Sequence, residues 1–106
     1  MPGFIIVMTS VDKSPEAEKI ARKVIAKRLA GCVKIIGPAK SFYTWKGKPH
    51  VSKEWICLIK TKKKNYQRIE SEIKKMHKYE LPEIISLEIG KASHEYLKWL
   101  GNMADT

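Results

Sequence analysis

Cysteine occurs only twice, at Cys32 and Cys57, with neither a CxxC step nor the ligand spacing of a zinc knuckle. That excludes a disulfide framework and a local metal knuckle, and makes two reduced, packed thiols the expectation. Aspartate is confined to Asp12 and Asp105, and histidine to His50, His77 and His94, none locally paired with Ser or Cys. Nucleophilic catalysis has no visible apparatus, and no G-x-G-x-x-G or Walker A run is present to cradle phosphates. The chain is therefore read as a non-enzyme. Its longest apolar runs, such as Phe4 to Met8 and Trp55 to Ile59, fall far short of the ~20 residues of a membrane span. Met1-Pro2-Gly3-Phe4 has no basic region and no apolar stretch of signal-peptide length, so the cytoplasm is the expected compartment. Asn and Gln are also scarce (Asn65, Gln67, Asn102), which with abundant lysine resembles the composition of thermophile proteins.

What remains is a chain of 106 residues, 43% hydrophobic and 30% charged, suited to one small domain spanning residues 1–106. The net charge is +10. Such an excess favours acidic partners, but arginine, the residue suited to bidentate phosphate and guanine contacts, is limited to Arg22, Arg28 and Arg68. Lysine spread over helix faces is equally a solubility device. A basic anion or nucleic-acid binder is thus the second reading, and nucleic acid is not the expected partner.

Phe4 to Thr9 is apolar and β-branched, bounded by Gly3 and by the polar Ser10 to Ser14, and reads as a buried strand. Ser14-Pro15-Glu16 opens a helix in which Ser14 is the expected cap, Ala17, Ile20, Ala21, Val24 and Ile25 form the apolar stripe, and Gly31 is the expected stop. Cys32 to Ile36 is a second strand, interrupted at Gly37-Pro38; Ser41 to Trp45 resumes it before a turn at Lys46-Gly47-Lys48-Pro49, and Val51 to Thr61 returns as the third. Tyr66, Ile69, Ile73 and Met76 recur at helical spacing from about Asn65 to His77. Glu83 to Ile89 alternates, with Ile85, Leu87 and Ile89 on one face, and Ser93 caps a last helix carrying Tyr96, Leu97 and Leu100.

The order βαββαβ plus a helix is the split pattern of α+β, ferredoxin-like folds, here with an extended hairpin between the second and third strands. Two helices cover one face of such a sheet. The other face is also apolar and needs a cover, for which a further copy of the chain is the simplest source.

Several side chains bear on function. Tyr43 and Trp45 are two apart on a strand and share a face, which Trp55 and Tyr79 are expected to join; inter-subunit packing is the first reading and a ligand cage the second. Cys32, at a helix-to-strand junction, is grouped with this cleft as a packed thiol. Lys60, Lys62, Lys63, Lys64 and Arg68 read as a solvated basic face, and as an anion site only if they converge with neighbours across a subunit boundary. His77, at a helix end, suits the negative terminus.

Five ordered motifs then become specific: Ala30-Gly31-Cys32-Val33, Ser41-Phe42-Tyr43-Thr44-Trp45-Lys46-Gly47-Lys48, Lys60-Thr61, His77-Lys78-Tyr79-Glu80-Leu81-Pro82-Glu83-Ile84-Ile85 and Tyr96-Leu97-Lys98-Trp99-Leu100. From Phe4 to Leu100 the chain resembles the CutA family of divalent-cation tolerance proteins. The resemblance implies a cytoplasmic homotrimer of PII-like architecture that binds copper or another divalent metal, with no cofactor required for folding and a signalling partner that is unknown. Metal-binding members resemble one another in a cysteine near the end of the first strand and in histidine before a Pro-Tyr step. Met8 stands in the cysteine-like place here, Met76 precedes the single His77, Lys78 replaces the proline, and Lys34 stands where many members have asparagine. The implied ligand set His77, Met76 and Met8 is soft, and suits Cu(I) better than Zn²⁺ or Mg²⁺.

Overall fold

The computed structural model describes residues 3–104; Met1, Pro2, Asp105 and Thr106 lie outside the described residues, and with them the expectation for the first two residues. Four strands and three helices follow in the order β1 (Phe4–Val11), α1 (Ser14–Ala26), β2 (Cys32–Trp45), β3 (Lys48–Lys62), α2 (Tyr66–Met76), β4 (Ile84–Glu88) and α3 (His94–Met103). The sheet is antiparallel in the order β2-β3-β1-β4, so the two most apolar strands are central.

Alternation decides which side each residue serves. Ile5, Val7, Thr9 and Val11 of β1 and Cys57, Ile59 and Thr61 of β3 are buried beneath α1 and α2, which contribute Ala17, Ile20, Val24, Ile69 and Ile73. Phe4, Ile6 and Met8 face the other way, and register places Ile6 beside Leu87 and Lys60, and Met8 beside Ile85 and Leu58. The apolar alternation of β4 therefore belongs to the face away from α1 and α2. α3 shields only one end of that face, where Leu100 and Met103 lie over Gly31, and Gly101 sits between Phe4 and Lys62. Ile36, Ile85 and Leu87 stay 51%, 46% and 47% exposed in the subunit.

Local details differ from expectation at three places. Ser14 is the first residue of α1 rather than its cap; Lys13 holds that position without a side-chain hydrogen bond. The helix ends at Ala26, five residues short of Gly31, because Arg28 takes the left-handed conformation (φ 58°) that a glycine usually supplies. Gly31 answers a packing demand: a Cβ there would lie 3.2 Å from Met103 Cβ and 3.3 Å from the Leu100 carbonyl. Gly37-Pro38, a cis peptide, does not end β2. It is absorbed as a one-residue bulge, with Ile36 paired to Ile56 but Ala39 paired to Glu54.

Two buried polar residues tie the layers together. Thr61 Oγ1 donates to the Leu29 carbonyl (2.5 Å), and Asn65 Nδ2 donates to the same oxygen (3.2 Å). The short 3₁₀ turn Lys63–Asn65 that delivers Asn65 separates β3 from α2.

Candidate functional site

The bulge in β2 fixes what surrounds the aromatics. Beyond it, Ala39, Ser41, Tyr43 and Trp45 pair with Glu54, Ser52, His50 and Lys48, so these eight residues share one face of the hairpin. A two-residue turn, Lys46-Gly47, closes the hairpin with both residues at positive φ (52° and 78°), the conformation of a type I′ turn. Tyr43 stacks on His50 with ring centres 5.6 Å apart, and its phenol accepts from Ser52 Oγ (3.2 Å).

The segment after α2 returns across this end of the sheet. Tyr79, Glu80 and Leu81 meet Tyr43 and Trp45 in an open cleft of ≈ 200 Å³. Behind it lies Glu54, only 7% exposed, whose carboxylate accepts from Ser41 Oγ (2.6 Å) and from the Tyr79 hydroxyl (2.9 Å). Burial pushes the Tyr79 phenol well above its usual range, and the Glu54 carboxylate that accepts its proton and repels a phenolate adds to the rise. Tyr79 thus stays a donor, and its ring forms one wall of the cleft.

His77 sets the position of Tyr79. The Tyr79 amide donates to His77 Nδ1 (3.1 Å), which places the imidazole proton on Nε2, and Nε2 donates to the Ser10 carbonyl (2.7 Å). The two rings lie 4.7 Å apart at their centres. Nearby, Lys78 Nζ pairs with Glu16 (3.0 Å), and its hydrogen bond to that carboxylate, joined by its positive charge, holds the Glu16 carboxyl below its usual range.

Within one subunit the expected metal ligands do not converge. Met8 points to the open face among Leu58 and Ile85, whereas Met76 packs against the core under the helices. Both His77 ring nitrogens are engaged, and the space it shares with Met76, Asp12, Glu16 and Lys78 is ≈ 10 Å³, room for no more than one water. Among the described residues no three His, Cys, Asp or Glu side chains are grouped as a metal cage. Met8, Met76 and His77 therefore do not form one copper site within a subunit.

The other expected groupings separate in the same way. Trp55 pairs with Val11 and packs against the core on the helix side, beside Gly37, so it does not line the cleft. Cys32, opposite Lys60, lies eleven residues from Tyr43 along β2, roughly 36 Å at the strand rise. Cys57 is fully buried on the opposite face, and both thiols are free. Lys60 donates to the Tyr96 hydroxyl (3.2 Å) beneath α3 and lies over that ring, Lys62 lies alongside Gly101, and Lys63 pairs with Glu88 (2.9 Å). Lys64 and Arg68 are exposed around the start of α2. The basic run is split between two sides of the sheet.

Glu54, Glu80 and Leu81 are members of this site that sequence reading left out. Glu80 and Leu81 sit within a quoted motif; Glu54 carried a signal only as a lone acid in an otherwise apolar and basic strand.

Comparison with known proteins agrees with the fold and the motifs. The family model described as CutA1 divalent ion tolerance protein matches residues 5–103. The divalent-cation tolerance protein CutA of Archaeoglobus fulgidus is 38% identical over 100 residues, covering 94% of this chain and 95% of its own. A crystal structure of CutA1 from the psychrotrophic bacterium Shewanella sp. SIB1 superposes with a TM-score of 0.94 at 30% identity, covering 99% of this chain and 98% of that one. CutA from Xylella fastidiosa gives 0.93 at 31% identity, over 97% and 99%.

Proposed function

The chain belongs to the CutA1 divalent ion tolerance family, and from that premise we propose that it works as a trimeric, metal-responsive binding protein of PII-like architecture. The observation that carries the assembly is the open sheet face. Ile36, Ile85 and Leu87 are exposed there, and Ile6, Met8, Ile56 and Leu58 are half-buried among them. Apolar surface of this kind gains about 25 cal/mol per Å² on burial. β2, fourteen residues long, also has a free edge that invites pairing with another copy. A closed ring would cover both features at once.

The binding role rests on the family description and on the cleft near the turn end of the hairpin. Because Met8, Met76 and His77 do not meet within one subunit, copper or another divalent ion is proposed as a cargo shared between subunits, not as a cofactor for folding. The basic anion or nucleic-acid reading loses its support with the division of the lysine run. The cytoplasm is kept as the proposed compartment on the strength of the two free thiols, although a relative from Archaeoglobus fulgidus is titled periplasmic and plant relatives are named chloroplastic.

The test is titration of purified, tag-free protein with Cu(I), Cu(II) and Zn²⁺ by calorimetry, with native mass spectrometry of each endpoint. Metal bound only by the trimer, in multiples set by its symmetry, is the expected result. Equal metal uptake by a dissociated subunit, or none by the trimer, contradicts the proposal.

A further inference from the structure

The cleft of Tyr43, Trp45, Tyr79, Glu80 and Leu81 has the composition of an organic-cation site. Within a single subunit, three aromatic rings and a carboxylate line one open volume of ≈ 200 Å³, on the sheet face that also carries Glu54 and Ile56, so that in a trimer the cleft borders a subunit boundary. The faces of such rings carry negative charge density and attract ammonium groups. Two of the rings are held in place by the fold: Tyr79 by its hydroxyl on Glu54 and its amide on His77, Tyr43 by Ser52 and the stack on His50. Glu54 adds a second negative charge behind the Tyr79 ring; among the described residues its hydrogen-bond partners are the hydroxyls of Ser41 and Tyr79, and no cation pairs with it.

An ammonium group already lies beside two residues of the cleft wall. Lys46 Nζ lies 5.8 Å from the Trp45 ring centre and 3.9 Å from Glu80 Oε1. Lys46 is 72% and Glu80 70% exposed, so this pair is a loose surface contact that a ligand could displace at little cost. The side chain models the chemistry of the occupant, a cation on an alkyl stem against an indole face and a carboxylate.

Resting on the reading of this protein as a binding subunit, we infer that the Tyr43–Trp45–Tyr79–Glu80 cleft binds small organic ammonium ions, with Lys46 as a resident competitor. The net charge of +10 opposes any cation at long range. At 0.15 M salt that repulsion is screened beyond about 8 Å, and the two carboxylates and three rings decide the local preference.

The experiment uses the full chain at 0.15 M ionic strength and follows the Trp45 indole and Tyr79 amide NMR signals. Tetramethylammonium is the probe, and tert-butanol, similar in shape but uncharged, is the control. The expected result is a saturable shift of these signals with tetramethylammonium, about tenfold tighter than with tert-butanol. Glu80→Gln should weaken binding several-fold and Lys46→Met should strengthen it, with the remaining amide spectrum unchanged. Equal response to tert-butanol would show an apolar crevice only and overturn the inference, as would the absence of saturable shifts in both wild type and Lys46→Met. Sedimentation of the same samples separates the two claims. A trimer without tetramethylammonium binding removes this inference alone, and a monomer removes the assembly on which the proposed function stands.

Discussion

His77 illustrates how a residue's neighbours decide its chemistry. The helix end suited His77 to the negative terminus and the family resemblance implied a metal ligand, but nothing in the sequence reveals that Ser10 and Tyr79 occupy both nitrogens. Its replacement by alanine should remove two hydrogen bonds at a half-buried position and lower stability by about 1–3 kcal/mol in urea denaturation. It should also loosen the Tyr79 contact with Glu54 while leaving Cu(I) and Zn²⁺ affinity unchanged. Metal affinity that falls with this variant at constant assembly would restore His77 as a ligand. Met8 and Met76 were not separable by sequence either. Helical periodicity shows that Met76 lies on an apolar stripe, but a sheet with two apolar faces gives no sign of which one a strand residue such as Met8 serves.

Cys57 carries a pH dependence. Burial pushes its thiol from 9.0 up to about 11. Below pH 9 both folded and unfolded thiols hold their proton and the contribution is fully present. Above pH 9 the unfolded chain releases the proton while the folded one retains it, so stability falls until about pH 11. Melting temperatures across this window should drop less steeply in Cys57→Ala than in wild type, even though the variant starts lower because of the small cavity left where the sulfur was. Parallel slopes would place the alkaline sensitivity elsewhere.

Among the elements, order and type were legible because turn residues and periodicity coincide: proline at the start of α1, Ser93 accepting from the Tyr96 amide at the start of α3, and alternation in β4. Parity across the bulge was not. A break at Gly37-Pro38 reads as an interruption, whereas the extra residue keeps β2 continuous and flips the faces, so that Tyr43 and Trp45 join Glu54 while Trp55 goes to the opposite side. The bulge needs glycine because an added Cβ at residue 37 would stand 2.7 Å from Trp55 Cγ. Gly37→Ala is expected to cost about 1–3 kcal/mol through overpacking against the Trp55 ring. Circular dichroism melts should show the loss, and an unchanged melting temperature would mean that Trp55 is free to move.

For the whole molecule, the open face is the feature that a single subunit leaves unresolved. α3 protects one end, and β4 turns its apolar side chains outward beside Ile6 and Met8, an arrangement suited to a partner surface and poorly suited to water. The need for a cover was legible from the count of helices against apolar faces; which residues form the uncovered part was not, because it depends on where α3 docks. Sedimentation velocity of the tag-free protein at micromolar concentration, run beside Leu87→Lys, tests this most directly. The account predicts a species of three 12.2 kDa subunits for the wild type and a smaller, still folded one for the variant. A stable wild-type monomer, or a trimer that Leu87→Lys leaves intact, would contradict it.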